Sequence, residues 1–187
     1  GCEDAWTLCT GDSSIIVGVM DEGVHWEHPD LEANIWVNEK EEYASNEDKD
    51  GNGYKGDRYG YNFASDRGDI ATTSTNDTGH GTHVAGTVAA VNHNGIGVGG
   101  VAGGSGKGDG VKIMSCQVFS GNSSATVAAR AKAYEYAANN GACILQCSFG
   151  LSGGMVTSDG AFDMSYGVER AGLNYFFNYR QPYSPVD

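Results

Sequence analysis

The segment Ile15-Ile16-Val17-Gly18-Val19-Met20 limits the fold more than any other part of the chain, because it is a continuous apolar run that stops abruptly at Asp21. A strand with one wet face would alternate polar and apolar residues. An unbroken run of this length, rich in Ile and Val, reads instead as a strand buried on both faces, as in a parallel sheet. Parallel strands need long crossovers, usually helical, so the remaining sequence must supply helices for both faces. It does. Residues 80–91 are small and helix-compatible, residues 124–139 are Ala-rich at helical spacing and stop at Asn140-Gly141, and residues 159–171 read as a helix capped by Ser158. Further strands are expected at 111–119, 143–149 and 173–177, with a long polar loop over 38–70. The expected fold class is α/β, a parallel sheet flanked by helices on both faces.

Composition narrows the function. Glycine supplies 29 of 187 residues, against a usual share of about 7%. Only 3 prolines accompany them, so the glycines belong to turns and close backbone approaches rather than to a disordered linker. Nine glycines fall within residues 95–110, which must be turn and loop. The net charge of −13 leaves no basic footprint for nucleic acid and suits a protein that holds cations. No apolar run approaches the ~20 residues of a membrane span. Gly1-Cys2-Glu3-Asp4 does not begin a signal peptide, so a leader is expected to have been removed or never present. The five cysteines are an odd set without a C-x-x-C pair. Cys143 and Cys147 share a strand face about 13 Å apart, too far for neighbouring zinc ligands. Buried structural thiols are the expected state, ahead of a disulfide or a metal site.

Two stretches carry chemistry. Asp21 closes the first buried strand, and active sites of such sheets gather beyond the carboxyl ends of strands, although a turn-forming aspartate would occupy the same place. Asp77-Thr78-Gly79-His80-Gly81-Thr82-His83-Val84-Ala85-Gly86-Thr87 sets His80 between two glycines where a loop becomes a helix. The glycines allow close approach of backbone or substrate, and the small residues after them let the helix pack tightly.

Together Val17-Gly18-Val19-Met20-Asp21-Glu22-Gly23-Val24, His28-Pro29-Asp30-Leu31 and His80-Gly81-Thr82-His83-Val84-Ala85-Gly86-Thr87 resemble the subtilisin-like serine protease family, over about residues 5–150. Glu22 departs from the pattern, where Ser or Thr is commoner. The resemblance implies a serine endopeptidase acting on protein or peptide substrates, with Asp21 and His80 in the catalytic triad. The chemistry agrees. A serine hydroxyl becomes a nucleophile when an imidazole takes its proton, and the imidazole needs a carboxylate on its other nitrogen. His83 is expected to pack within its helix, and His25, His28 and His93 receive no catalytic role. Ser148, Phe149 and Gly150 resemble the strand end that pairs with substrate backbone and lines the primary pocket. Ser120 and Gly121 resemble the edge that pairs on the other side, so that an extended peptide would add as a strand between them.

Calcium is the second theme. Asp48, Asp50, Asn52, Tyr54 and Asp57 stand at or near alternate positions around Gly turns, a spacing like the first half of an EF-hand loop, with Tyr59 where the closing Glu would be. The stretch also resembles the Asp-rich calcium insertion of some subtilisin-like proteases. A solvated acidic loop is the alternative. A second site implied by the resemblance would use the side chains of Asp30 and Asn94 with the carbonyls of Val91, Ile96 and Val98. Structural Ca²⁺ is thus the expected cofactor, and with the family it implies an extracellular or cell-surface location.

One part is not found. No serine sits in a Gly-Thr-Ser-Met-Ala-like setting. Ser148 and Ser152 come nearest, and Asn178 is a poor match for an oxyanion asparagine. Too little chain follows His80 for the family's remaining sheet, and residues 174–187 do not resemble it. The chain therefore reads as a single, N-terminal portion (1–187) of a catalytic domain, inactive alone. A non-catalytic peptide-binding scaffold and an extracellular calcium-binding module are the competing readings.

Overall fold

The structure is a computed structural model that describes residues 1–71, 77–150, 159, 161 and 166–179. After a short helix α1 (Cys2–Trp6), the apolar run forms β1 (Ile16–Asp21). There follow β2 (Gly60–Asn62), α2 (His80–Ala89), β3 (Lys112–Gln117), the small β4 (Phe119–Ser120) and β5 (Ser123–Ser124), α3 (Val127–Asn139), β6 (Ile144–Cys147) and α4 (Gly167–Tyr179). Strands β2, β3, β1 and β6 lie side by side in that order, all parallel, and β4 and β5 form a separate antiparallel hairpin. Asp21 pairs in register with Gln117, so β1 and β3 end together and their carboxyl ends form one rim.

β1 is sandwiched as its composition requires. Val17 and Val19 face a core with Ala85 and Ala89 of α2, Leu31 and Ile113. Met20 faces the other core, with Met114, Cys116 and Ala133 and Ala137 of α3. Gly18 is the close-approach point on that side: a Cβ there would lie 3.1 Å from the Leu145 side chain and 3.4 Å from Ala137. Burying such side chains contributes about 1.5–3 kcal/mol each for Val, Leu, Ile or Met.

Element ends moved for identifiable reasons. α2 stops at Ala89, not residue 91, because the Val91 amide donates to the Asp30 carbonyl (2.9 Å) and draws the chain off the helix. α3 begins after Thr126, whose hydroxyl accepts from Ala129 N at 3.1 Å, since Ser124 is taken up by β5. The expected loop over 38–70 contains β2, and a side chain at Gly60 would run into the Ser115 carbonyl. The strand expected at 173–177 is instead part of α4. Glu169, Gly172 and Phe176 are buried at i, i+3 and i+7, one helical stripe, with Gly172 against the Ala131 backbone. Ser158 and most of the helix expected over 159–166 lie outside the described residues.

The cysteine expectation fails for four of five. All five thiols are free; Cys116 is buried between sheet and helix, but Cys2, Cys9, Cys143 and Cys147 are exposed. Cys143 and Cys147 flank and end β6, which is an edge strand among the described residues, with Ile144 half exposed.

Candidate active site

Asp21 and His80, 59 residues apart in sequence, meet at the rim. Asp21 is 3% exposed at the end of β1, where its carbonyl accepts from Val118 N at 2.8 Å. His80 opens α2, and its Nδ1 lies 2.8 Å from Asp21 Oδ1 and 2.9 Å from Oδ2. Gly81 makes the meeting possible, because a Cβ there would strike the Gly23 carbonyl just beyond β1. With Nδ1–H donating to the carboxylate, Nε2 is left as the basic nitrogen, on a side chain that is 48% exposed. Asp21's hydrogen bond, then its charge, and to a smaller degree the charge of Glu22 raise the His80 pKa above its ordinary 6.5. The pair is an imidazole held in one tautomer and primed to accept a proton from something in front of it.

The two expected substrate segments flank this pair. Ser120 and Gly121 form the tip of the β4–β5 hairpin, and Gly121 N donates to Asp77 Oδ1 at 2.7 Å, tying the tip to the loop that carries His80. Ser148, Phe149 and Gly150 follow β6; the Ser148 hydroxyl accepts from Gln146 Nε2 at 2.9 Å. Phe149 meets Phe119 edge-on at 5.3 Å, so one aromatic contact joins the two segments. Ser152 lies outside the described residues, and Asn178 is exposed on α4.

The acidic loop is arranged differently from its spacing. Asp48 turns both carboxylate oxygens onto its own loop, accepting from Gly51 N (2.8 Å), Asn52 N (3.1 Å) and Gly53 N (2.9 Å). Asp50 and Asp57 come together with Glu41, with carboxylate oxygens of all three within 4.8 Å of one another. Asn38 Nδ2 donates to both Asp50 (2.9 Å) and Asp57 (3.3 Å), and Asn52 Nδ2 donates to Asp57 at 3.0 Å. Tyr54 N donates to Asn52 Oδ1 at 2.7 Å, while its ring packs on Tyr61 and Tyr136. Glu41 and Asp57 are 1% and 0% exposed, and among the described residues no Lys or Arg side chain pairs with any of the three carboxylates. Burial, with the charges of Asp50 and Glu41, pushes the Asp57 carboxyl up despite hydrogen bonds from Asn52 and Tyr136. Sequence spacing did not point to Glu41 or Asn38, which reach the cluster from an earlier part of the loop.

The second calcium set also gathers in one place. Asp30, 2% exposed, accepts from Asn94 Nδ2 (2.7 Å) and Val98 N (2.9 Å), and Ile96 N donates to Asn94 Oδ1 at 3.0 Å. Val91 N binds the Asp30 carbonyl, so Asp30, Val91, Asn94, Ile96 and Val98 fold around one another.

A buried carboxylate ending a central parallel strand, bonded to an imidazole that opens a later helix, is the Asp-before-His arrangement found in one class of α/β serine hydrolases. The profile of the Subtilase family, Peptidase_S8, matches residues 12–175, and the chain belongs to that family. It is 36% identical over 132 residues (70% of this chain, 19% of the relative) to Subtilisin-like protease 1 of Plasmodium vivax. It is 30% identical over 148 residues (79% and 23%) to halolysin of Haloferax mediterranei. Fervidolysin of Fervidobacterium pennivorans, a keratinolytic enzyme related to subtilisin, superposes with a TM-score of 0.57 at 26% identity, over 95% of this chain and 21% of that one. The chain thus spans about a fifth of the length of these curated relatives.

Proposed function

We propose that Asp21 and His80 are two members of the catalytic triad of a calcium-stabilised serine endopeptidase of subtilisin type, with His80 as general base and then general acid. The carrying observation is the Asp21–His80 pair, with Nδ1 on the carboxylate and Nε2 open. Asp21 fixes the tautomer and stabilises the imidazolium; His80 takes the proton of a serine hydroxyl and returns it to the leaving amine. No serine of the sequence has the setting of the family nucleophile, so that serine belongs to residues outside these 187, and this chain alone does not hydrolyse peptides. The substrate is an extended polypeptide, lying between the Ser120–Gly121 tip and the Ser148–Gly150 segment and pairing as an added strand.

The residues present fit Ca²⁺ at the first site. Glu41, Asp50 and Asp57 place hard oxygens together, two of them buried without a basic partner, an arrangement whose charge a divalent cation would neutralise. Asn52 and the Tyr54 backbone complete that oxygen-rich turn, and Asp48 shapes it. Asp30 and Asn94 would hold a second ion. When bound, calcium neutralises these carboxylates and fixes both loops. Weak oxygen sites suit a calcium-rich extracellular setting. No helix among the described residues is long and apolar enough to cross a membrane.

The test is hydrolysis of an unstructured protein such as casein by the whole polypeptide that contains these residues. Activity lost by at least about a thousandfold in His80→Ala supports the assignment. Unchanged activity in that variant removes it, and absence of any activity in the unaltered polypeptide favours a peptide-binding scaffold.

A further inference from the structure

Glu22 directly follows β1, and its side chain does something its sequence position does not foretell. α2 starts from Gly79 at φ 78°, which has no side chain to cap the free amides of the first turn. The cap comes instead from the residue just after β1. Glu22 Oε2 accepts from Thr78 N and Thr78 Oγ1, each at 3.0 Å, and from His80 N at 3.3 Å. A carboxylate there also suits the positive end of the helix. Glu22 is itself fixed at both ends of its peptide: its amide donates to Asp21 Oδ1 at 2.8 Å, and its carbonyl accepts from Gln117 Nε2 at 2.6 Å. One rigid strand end therefore grips His80 twice, Asp21 by the ring and Glu22 by the backbone.

We propose that Glu22 is a positioning residue for His80, clamping the Thr78–His80 backbone that carries the ring and placing a second negative charge beside the imidazole. The groups around that ring are few. Asp21 and Glu22 come from the end of β1, Asp77 from the preceding loop, where it holds Gly121 N, and His83 follows one turn along α2. Cys147, exposed at the end of β6, is close enough to Asp21 for its thiol to feel that charge; protein atoms packed around the sulfur, then the charges of Glu169 and Asp21, push it up to about 11. Asp21 at the end of β1 and Glu22 just after it are what favour the imidazolium, Asp21 more than Glu22. A base that holds its proton more firmly loses it at higher pH, so Glu22 moves the working range of His80 upward. The inference rests on His80 being the base of the proposed reaction, but its test does not require hydrolysis.

The measurement is an NMR titration of the His80 ring in this chain, with amide exchange of Thr78 and His80, for the unaltered chain, Glu22→Gln and Glu22→Ala. Gln keeps an acceptor oxygen and loses the charge, so the His80 midpoint should shift down while exchange stays close to that of the unaltered chain. Ala loses both, so the midpoint shifts down and both amides exchange about tenfold faster or more. In each case the shift is smaller than that caused by Asp21→Asn. A His80 midpoint unchanged in Glu22→Gln overturns the charge role, and amide exchange unchanged in Glu22→Ala overturns the clamp. If hydrolysis by the whole polypeptide fails while both shifts occur, the proposed reaction falls and the clamp stands.

Discussion

Chelating calcium should loosen this protein through Glu41, Asp50 and Asp57. Their carboxylate oxygens lie within 4.8 Å of one another. Two unit charges at that separation repel by about 3 kcal/mol at an effective dielectric constant of ~20, and three such pairs are present. Asp57 and Glu41 are almost wholly removed from water, so solvent offers little relief. A divalent ion among them turns the repulsion into attraction. Linkage sets the observable size: an ion present at one hundred times its dissociation constant adds about 2.7 kcal/mol. For a chain of this length that corresponds to roughly 5–10 °C in Tm. The assay is thermal unfolding followed by circular dichroism in excess Ca²⁺, in excess Mg²⁺ and in EGTA. Ca²⁺ should raise Tm by this amount over EGTA, and Mg²⁺ much less, because Mg²⁺ demands tighter octahedral geometry and sheds water reluctantly. Asp57→Asn should abolish most of the difference, whereas Asp48→Asn, at a residue already committed to its own loop amides, should retain more of it. Identical Tm values in Ca²⁺ and EGTA for the unaltered chain would refute the reasoning.

Three further outcomes follow from the geometry. Because the His80 pKa is raised on folding, the Asp21–His80 pair contributes stability that is fully present below the unfolded value of 6.5 and is lost as pH rises through the higher folded value; urea midpoints of the unaltered chain and His80→Ala should converge above that range and diverge below it. The effect is modest, since half of the ring is in water. Glu169→Ala should destabilise by about 3–5 kcal/mol in urea unfolding, because it strands Arg130, whose Nε and Nη2 each lie 2.9 Å from Glu169, and removes the partner of Tyr134 OH at 2.8 Å. Gly81→Ala should cost about 1–3 kcal/mol and displace the His80 ring resonances, as the added methyl meets the Gly23 carbonyl.

What could be read from the sequence follows from where the determining contacts lie. β1, α2, β3 and α3 were legible because each carries its own periodicity or stop signal, and the Asp21–His80 pairing was legible because both motifs are local and specific. β2 was hidden, since Gly60–Asn62 is short and its burial comes from β3 rather than from its own pattern. Leu173–Phe177 read as a strand because Leu, Tyr and Phe suit either state; Arg130 and Ala131 on α3, which hold the Glu169–Gly172–Phe176 face, decide for helix. The cysteines were misjudged for a related reason: alternation puts Cys143 and Cys147 on one face of β6 but does not say whether anything covers it. The Glu41 and Glu22 side chains act through partners 8 to 58 residues away, which no local spacing reveals.

The proposed role of His80 is to take the proton of a serine that none of these 187 residues supplies, with Asp21 holding its ring. A fluorophosphonate probe followed by peptide mass mapping tests that most directly. This chain should be unlabelled, a longer polypeptide containing it should be labelled on one serine outside these residues, and His80→Ala should remove the label. Covalent labelling of a serine within the 187 residues, or labelling of the longer polypeptide that persists in His80→Ala, would contradict it.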